Sequence, residues 1–536
     1  MSSIPSPPSF VSRRGPPFVL AAAFLIGVAL RFAFLDAKTL WLDEIWSITV
    51  ARMSWPTLAW SLLHQDPNMG LYDALLHLWM RLGQNEFAIR SLSAVAGACS
   101  IPVVYLIGCQ LFDSRVAGLA SMLLAVNIFH IQYSQEARSY SLWVLLCSLS
   151  TFYFIRAITR NRSIDWITYS AVAVLAVYAH LFAWMTIAAH CCSTMLLRKN
   201  QLTSKGLVFS IGSIGILSTP LLFLIYARTR SPFFQLDWVP RPDLRRVYNL
   251  FYTLCGNANF YGIEIPKLRS CNLLPLGGLI AASVALIAAI RFWRSFGRTW
   301  TTWHHFLPFL CVVVPVLLAL MLSLRMPMFL NRYFLVCVPP FSLILSFGIL
   351  SMRRRWLAIL TAGVIFAAES AALVQYFQYR VAYREWQLAT SYILSHSRPG
   401  DALIFSMAHG RLLFDFYKDR YHEHSGELDE LYPDLTRVSA DPGALSYYPQ
   451  PSAAQLNAIT AHSRVWLVLY PEDRAPQAII STLFRSRLQS AFPSEQKVRI
   501  DTVILCLYVR DDSVAKARFL SSEGINSSLR RHGEVR

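Results

Sequence analysis

Up to Gln375 the chain alternates long apolar runs with short polar connections, and beyond it short mixed segments take over. A helix of roughly 17 to 25 apolar residues crosses a bilayer. Runs near that length fall at Phe18–Leu35, Ser91–Leu111, Val116–Phe129, Ser139–Ile155, Trp166–His180, Leu181–Leu197, Leu207–Tyr226, Leu273–Ile290, Phe306–Leu324, Phe334–Leu350 and Trp356–Tyr376, several of them short. That predicts about 11 spans, with Trp166–Leu197 fitting either a tight hairpin or one long tilted helix. After Tyr383 the pattern predicts a helix Glu385–His396, a turn at Arg398–Asp401 and a strand Ala402–Ser406. A strand Val465–Tyr470, a helix Pro476–Phe492 and a strand Thr502–Val509 follow. Alternating helix and strand patterns point to a small α/β domain. The expected fold is mainly α: a polytopic helical membrane domain over residues 1–375 and an α/β domain over residues 376–536.

Composition strengthens the membrane reading. Of 536 residues 55% are hydrophobic and 15% charged, and the mean hydropathy is +0.41. A soluble domain carries roughly 25% charged residues, so soluble and disordered classes are excluded. Lys and Arg number 49 against 31 Asp and Glu, a net charge of +18. The part after Gln375 holds 19 basic and 18 acidic residues, which leaves +17 on the apolar part. The basic residues are dispersed between apolar runs, so no nucleic-acid partner is expected.

Charge instead reports orientation. Arg13 and Arg14 precede the first run. Further basic residues occupy alternate short loops at Arg115, Arg156–Arg162, Arg198–Lys205, Arg291–Arg298 and Arg353–Arg355, where Asp113 and Asp165 are the only acids. By the positive-inside rule these loops are cytoplasmic. The N-terminus is then cytoplasmic and the α/β domain extracytoplasmic, in a multi-pass protein of the inner (plasma) membrane. The first run has no convincing cleavage site and reads as an anchor. The ten cysteines form no metal-type CxxC pair. Cys255 and Cys271 flank one outward loop and fit either a disulfide or two unrelated thiols.

The outward loops carry the candidate chemistry. The first holds TLWLDEIWSITVARMSW, in which Asp43 and Glu44 are adjacent just past the first span. A carboxylate there is placed to act as a general base toward a hydroxyl; an ordinary solvated acidic pair beside an aromatic belt is the plain alternative. Ser47–Leu63 has the apolar spacing of one amphipathic helix lying along the interface. The Asp66–Gly70 cluster breaks it, and another helix begins at Leu71. The second loop, FHIQYSQEARSY, packs His130, Tyr133, Glu136, Arg138 and Tyr140 between two spans. Ionisable residues at a membrane edge pair or bind something, and a Glu136–Arg138 surface pair would satisfy that. His180 in VYAHLFAW reads on its own as an interfacial histidine. The long loop Ala227–Cys271 is rich in arginine and aromatic residues, and RMPMFLNRYFLVCVPPF places Arg325 and Arg332 before a late span. Guanidinium groups suit phosphate because they donate in a fixed fork; lipid headgroups are the other anion within their reach.

Taken in order, LWLDEIWS, LYDALLHLW, RSLSAVAGACSIPVVYLIGCQLF, FHIQYSQEARSYSLW, VYAHLFAW and NRYFLVCVPPF resemble bacterial membrane glycosyltransferases of the GT-C fold. The resemblance is to the protein O-mannosyltransferase-like (RgtA/B/C/D-like) family, to which lipid A aminoarabinose transferase is related. It implies transfer of a hexose or pentose from a polyprenyl-phosphate carrier to a glycan, lipid or protein hydroxyl outside the cytoplasm, with inversion. It also implies roles. Asp43 matches the presumed base, and Glu44 the second acid of the pair. Glu136 and Arg138 match the second-loop acid and its neighbour, where acceptor or donor phosphate is held. Arg332 matches a contact to the carrier phosphate, and His180 a recurring histidine atop the fifth span. Tyr72 is carried over within Asn68-Met69-Gly70-Leu71-Tyr72, where many relatives have a Pro-Pro-Leu-Tyr type sequence, a departure that bears on the acceptor. No dedicated metal site or other cofactor is expected, although a divalent cation between acidic residues is left open. A transporter or flippase of lipid-linked saccharide is the alternative function, and a non-catalytic membrane scaffold a third.

Overall fold

Within lipid every backbone polar group must be met inside the protein, which makes helices of the apolar runs. A computed structural model describes residues 17–64, 68–197, 204–229, 239, 241–255, 273–294, 300–382, 384–419, 428–433, 451–469 and 475–510. Helix α1 (Pro17–Phe32) leads to three short helices, α2 (Leu42–Ala51), α3 (Trp55–His64) and α4 (Gly70–Trp79). The bundle continues with α5 (Glu86–Leu111), α6 (Ser114–Val126), α7 (Ile128–Ser134), α8 (Tyr140–Arg160), α9 (Ser163–Ala179) and α10 (Ala183–Thr194). It is completed by α11 (Ser204–Thr229), α12 (Leu244–Leu254), α13 (Leu273–Arg294), α14 (Trp300–Ser323), a 3₁₀ helix Asn331–Cys337 that runs into α15 (Val338–Leu350), and α16 (Arg355–Ala382).

Every expected run holds helix. Among the described residues six helices are long and apolar enough to cross a membrane alone, or seven if α6 and α7, bent by 58°, form one span. Three further runs hold shorter apolar helices, at 18–32, 163–179 and 280–292. Trp166–Leu197 is not one long helix: it breaks at His180, with α9 packed on α8 and α11 while α10 packs on α14. Ser47–Leu63 is likewise two helices rather than one. Its chain breaks between Ala51 and Trp55, where Leu58 N–H takes the Ser54 carbonyl and starts α3. Both acids of the short basic loops have local work. Asp113 caps α6 by accepting from Arg115 and Val116 N–H at 2.9 Å. Asp165 forms an ion pair with Arg156, Oδ1 lying 2.9 Å from Nε, and ties α9 to α8. Cys271 lies outside the described residues.

The chain divides into two compact units, one of Met1–Asp36 with Ser47–Val381, the other of Ala37–Trp46 with Ala382–Arg536. The second unit adds α17 (Glu385–His396), β1 (Ala402–Phe405), α18 (Ala408–Lys418), β2 (Asp429–Tyr432), α19 (Ala453–Ala461), β3 (Arg464–Leu469), α20 (Ala475–Ala491), β4 (Ser494–Ile500) and β5 (Val503–Val509). They form one sheet in the order β2-β1-β3-β5-β4. Strand β1 pairs parallel with β2 and β3, and β5 pairs antiparallel with β3 and β4. Its core packs Ile404, Leu467, Cys506 and Tyr508 of the sheet against Phe484 and Leu488 of α20. Strands β2 and β4 carry too much polar sequence to read as strands: both are edges, and β4 alternates exposed and covered positions.

Candidate active site

In the first unit the segment FHIQYSQEARSY is almost wholly buried. Helix α7 ends at Ser134, and α8 starts at Tyr140. The turn between them holds Glu136 and Arg138, both buried, rather than a solvated surface pair. Arg138 N–H donates to the Glu136 carbonyl at 2.7 Å, and its Nη1 donates to Ser47 Oγ at 3.0 Å. Its own carbonyl accepts from Ser93 Oγ at 3.0 Å, and Ser93 Oγ lies 2.8 Å from Tyr72 Oη. Tyr72, Ser93 and Arg138 are therefore one hydrogen-bonded line joining α4, α5 and the loop.

Tyr72 follows a backbone conformation that a methionine rarely adopts. Met69 has φ of +72° before α4, and Gly70 comes next. The same turn is fixed by Asn68, whose Oδ1 accepts from Leu181 N–H at 3.1 Å. That bond connects the departure in the Asn-Met-Gly-Leu-Tyr segment to the break between α9 and α10.

At that break α9 stops because His180 is extended, with φ of −164°. Its Nδ1 accepts from Phe182 N–H at 3.2 Å. The ring stacks on Trp143 with centroids 4.6 Å apart and lies 5.9 Å from Tyr140 and 5.7 Å from Tyr333. Arg332, in the first turn of the 3₁₀ helix, is buried and holds its guanidinium 5.6 Å from the Tyr333 ring centre. Arg138 and Arg332 both impose positive charge on His180. Two guanidinium groups and an imidazole thus share one buried, aromatic-walled neighbourhood, an arrangement suited to an anion.

Asp43 and Glu44 belong to the second unit, through its segment Ala37–Trp46. Both lie in the first turn of α2, where carboxylates favour the positive end of the helix. Glu44 is fully buried, and its carboxylate accepts from Trp41 N–H at 3.3 Å, so it closes the start of the helix. Asp43 is partly exposed. Within this unit Leu40 N–H donates to Tyr417 Oη at 2.9 Å and fixes the segment to α18. Among the described residues no group of three or more His, Cys, Asp and Glu side chains is gathered to hold a metal ion.

The residue-by-residue reading missed Ser93, Gln135 and Arg31. Ser93 and Gln135 carry no sequence signal, but Arg31 does, as a charge inside the first apolar run.

Residues 68–225 match the dolichyl-phosphate-mannose-protein mannosyltransferase family. Over its length the chain is similar to ArnT from Cupriavidus metallidurans in the apo state, with a TM-score of 0.60 at 13% identity, covering 92% of this chain and 98% of that one. The chain has the GT-C fold. A second structure of the same GT-C protein, bound to undecaprenyl phosphate, gives a TM-score of 0.56 at 12% identity and covers 95% of this chain and 100% of that one. No curated protein sequence matches. Several apolar helices of this length in a GT-C fold make the chain a multi-pass membrane protein. The family match takes in Tyr72, Glu136, Arg138 and His180, and stops short of Asp43, Glu44 and Arg332.

Proposed function

We propose that the chain is an integral-membrane glycosyltransferase that moves a sugar from a polyprenyl-phosphate carrier to an acceptor hydroxyl, on the extracytoplasmic face of the inner membrane and with inversion. The observation that carries this reading is the buried, aromatic-walled setting of His180, against Tyr140, Trp143 and Tyr333, with buried Arg138 and Arg332 on the adjoining segments, within a GT-C fold. Phosphate leaves readily once its developing charge is neutralised, and preorganised guanidinium groups do that without reorganising at the moment of reaction. Since His180 Nδ1 accepts a hydrogen bond, a neutral ring bears its proton on Nε2, which meets no partner among the described residues. That N–H supplies a further donor to a phosphate oxygen.

In the reaction the anomeric carbon–oxygen bond to phosphate breaks and a bond to the acceptor oxygen forms on the opposite face, through an oxocarbenium-like transition state. Asp43 takes the acceptor proton, and Glu44 orders the start of the helix that carries it. Glu136 and Tyr72 position acceptor or donor groups. The undecaprenyl phosphate held by the similar ArnT structure supports a polyprenyl carrier here. The acceptor, whether glycan, lipid or protein, is a hydroxyl in each case.

One observation favours the transporter reading, since discontinuous spans are a transporter device, and α6 and α7, bent by 58°, would be one if they form a single span. Arg31 and Glu369 at that break are hydrogen-bonded to its own main chain, which supports architecture over transport. Binding of polyprenyl phosphate to the full chain in lipid nanodiscs tests the proposal. Wild type is expected to bind saturably and Arg332→Ala to bind about 10- to 100-fold more weakly, as for loss of a charged hydrogen bond. Equal binding by both removes the phosphate role of Arg332.

A further inference from the structure

The break between α6 and α7 is held by two buried ionisable side chains that the proposed reaction does not use. At Asn127 the chain turns by 58°, freeing main-chain groups on both sides. On the α6 side Arg31 of α1 donates from Nη1 to the carbonyl of Ala125 at 3.0 Å and from Nη2 to that of Leu124 at 3.1 Å. Nη2 also lies 2.8 Å from His130 Nδ1. On the α7 side Glu369 of α16 accepts from Ile128 N–H and from Asn127 Nδ2, both at 3.2 Å. Asn127 Oδ1 caps α7 by accepting from His130 N–H at 3.0 Å. A guanidinium thus meets the carbonyl end of one helix and a carboxyl group the N–H end of the next, each matching the polarity of the main-chain groups it holds.

The same helices are tied again one residue before Glu136. Gln135 Nε2 donates to the carbonyls of Leu30, Arg31 and Ala33 at 2.8 to 3.1 Å. Its Oε1 accepts from Tyr376 Oη of α16 at 2.8 Å. A third constraint is steric. A Cβ on Gly97 of α5 would come within 2.2 Å of Ser134 Oγ, so α7 seats there because residue 97 has no side chain.

We infer that Arg31, Glu369 and Gln135 are positioning residues that brace the break and set where the turn holding Glu136 and Arg138 sits. The inference rests on the proposed role of that turn in holding donor or acceptor. A misplacement of about 1 Å costs on the order of 100-fold in such a site, so a brace of buried hydrogen bonds is a plain requirement of it.

The test uses the full chain in nanodiscs with Glu369→Ala, Glu369→Gln and Gln135→Leu. Amide hydrogen exchange over residues 128–139 is measured beside the concentration dependence of polyprenyl-phosphate-sugar use. For Glu369→Ala we expect faster exchange in that window and a donor KM raised by about tenfold or more, with kcat changed less. Glu369→Gln should lie between it and wild type, because its amide oxygen still accepts from Ile128 N–H. Gln135→Leu should speed exchange with the break itself intact. Unchanged exchange in Glu369→Ala and Gln135→Leu overturns the brace. Faster exchange with unchanged donor KM overturns its positioning role. Should wild type itself fail to use any polyprenyl-phosphate sugar, the proposed function falls, and the exchange comparison alone still decides the brace.

Discussion

Two of the helix breaks in the first unit, at Asn127 and at His180, are treated differently. At Asn127 a guanidinium and a carboxylate are spent on main-chain groups, Leu124 and Ala125 on one side and Ile128 on the other. At His180 neutral groups do that work, Asn68 for Leu181 and the imidazole Nδ1 for Phe182, while the positive charge of Arg138 and Arg332 acts on the ring. Charge used on a helix end stabilises a bend. Charge gathered near an N–H that meets no partner among the described residues, in an aromatic pocket, can receive an anion. The first break therefore reads as architecture, and the second is the one proposed to carry chemistry.

Several measurements sharpen or break that contrast. The largest effect lies at neither break: Asp43→Asn should cut sugar transfer by on the order of 10²- to 10⁴-fold, the range of a lost general base, with polyprenyl-phosphate binding retained. Transfer equal to wild type removes the base assignment. Arg138→Ala should weaken carrier binding about 10- to 100-fold, as Arg332→Ala should, and a titration of polyprenyl phosphate checks it. His180→Phe keeps an aromatic ring in the pocket and deletes one donor. It should raise the donor Kd by about threefold to tenfold and leave the melting temperature near that of wild type. Gly97→Ala, beside the first break, should do the reverse, lowering the melting temperature while its direct effect on donor contacts is nil. If His180→Phe destabilises as Gly97→Ala does, the two breaks are not distinct in kind.

The smallest effect is a pH dependence in the second unit. Asp415 on α18 is pushed up to about 7 by burial and by the nearby Glu430 carboxylate, against the pull of Arg411 and Lys418. Glu430 is held by both bases, with Arg411 Nη2 and Lys418 Nζ each at 2.6 Å. A carboxyl raised in the folded state binds a proton there that the unfolded chain has released. Its contribution is present at acid pH and is lost as pH rises from about 4 toward 7. Melting of this unit in the full-length protein should fall over that window, and Asp415→Asn should flatten the dependence. An unchanged slope contradicts this account of Asp415.

Much of this was legible in the sequence, and the limits have physical causes. Apolar runs mark helices because lipid leaves the backbone no alternative, so all eleven appear. The bend inside Val116–Phe129 is invisible there, since it depends on Arg31 and Glu369, which are 94 and 241 residues away from the groups they hold. Strand β2 escaped because Asp429 and Glu430 sit at an exposed edge, where polar residues protect a sheet from further pairing. In the site, Arg138, His180 and Arg332 were nameable from motif order, but only the fold brings three separate loops to one place. Ser93 was out of reach: a serine in an apolar run gives no hint that it links Tyr72 to the Arg138 backbone.

The most direct test of the central claim is equilibrium binding of polyprenyl phosphate to the purified full chain in nanodiscs, comparing wild type, Asp43→Asn and an Arg138→Ala/Arg332→Ala double variant. The account predicts saturable binding by wild type and Asp43→Asn alike, and its loss in the double variant while that protein still inserts and melts cooperatively. Absence of binding by wild type, or undiminished binding by the double variant, would contradict it.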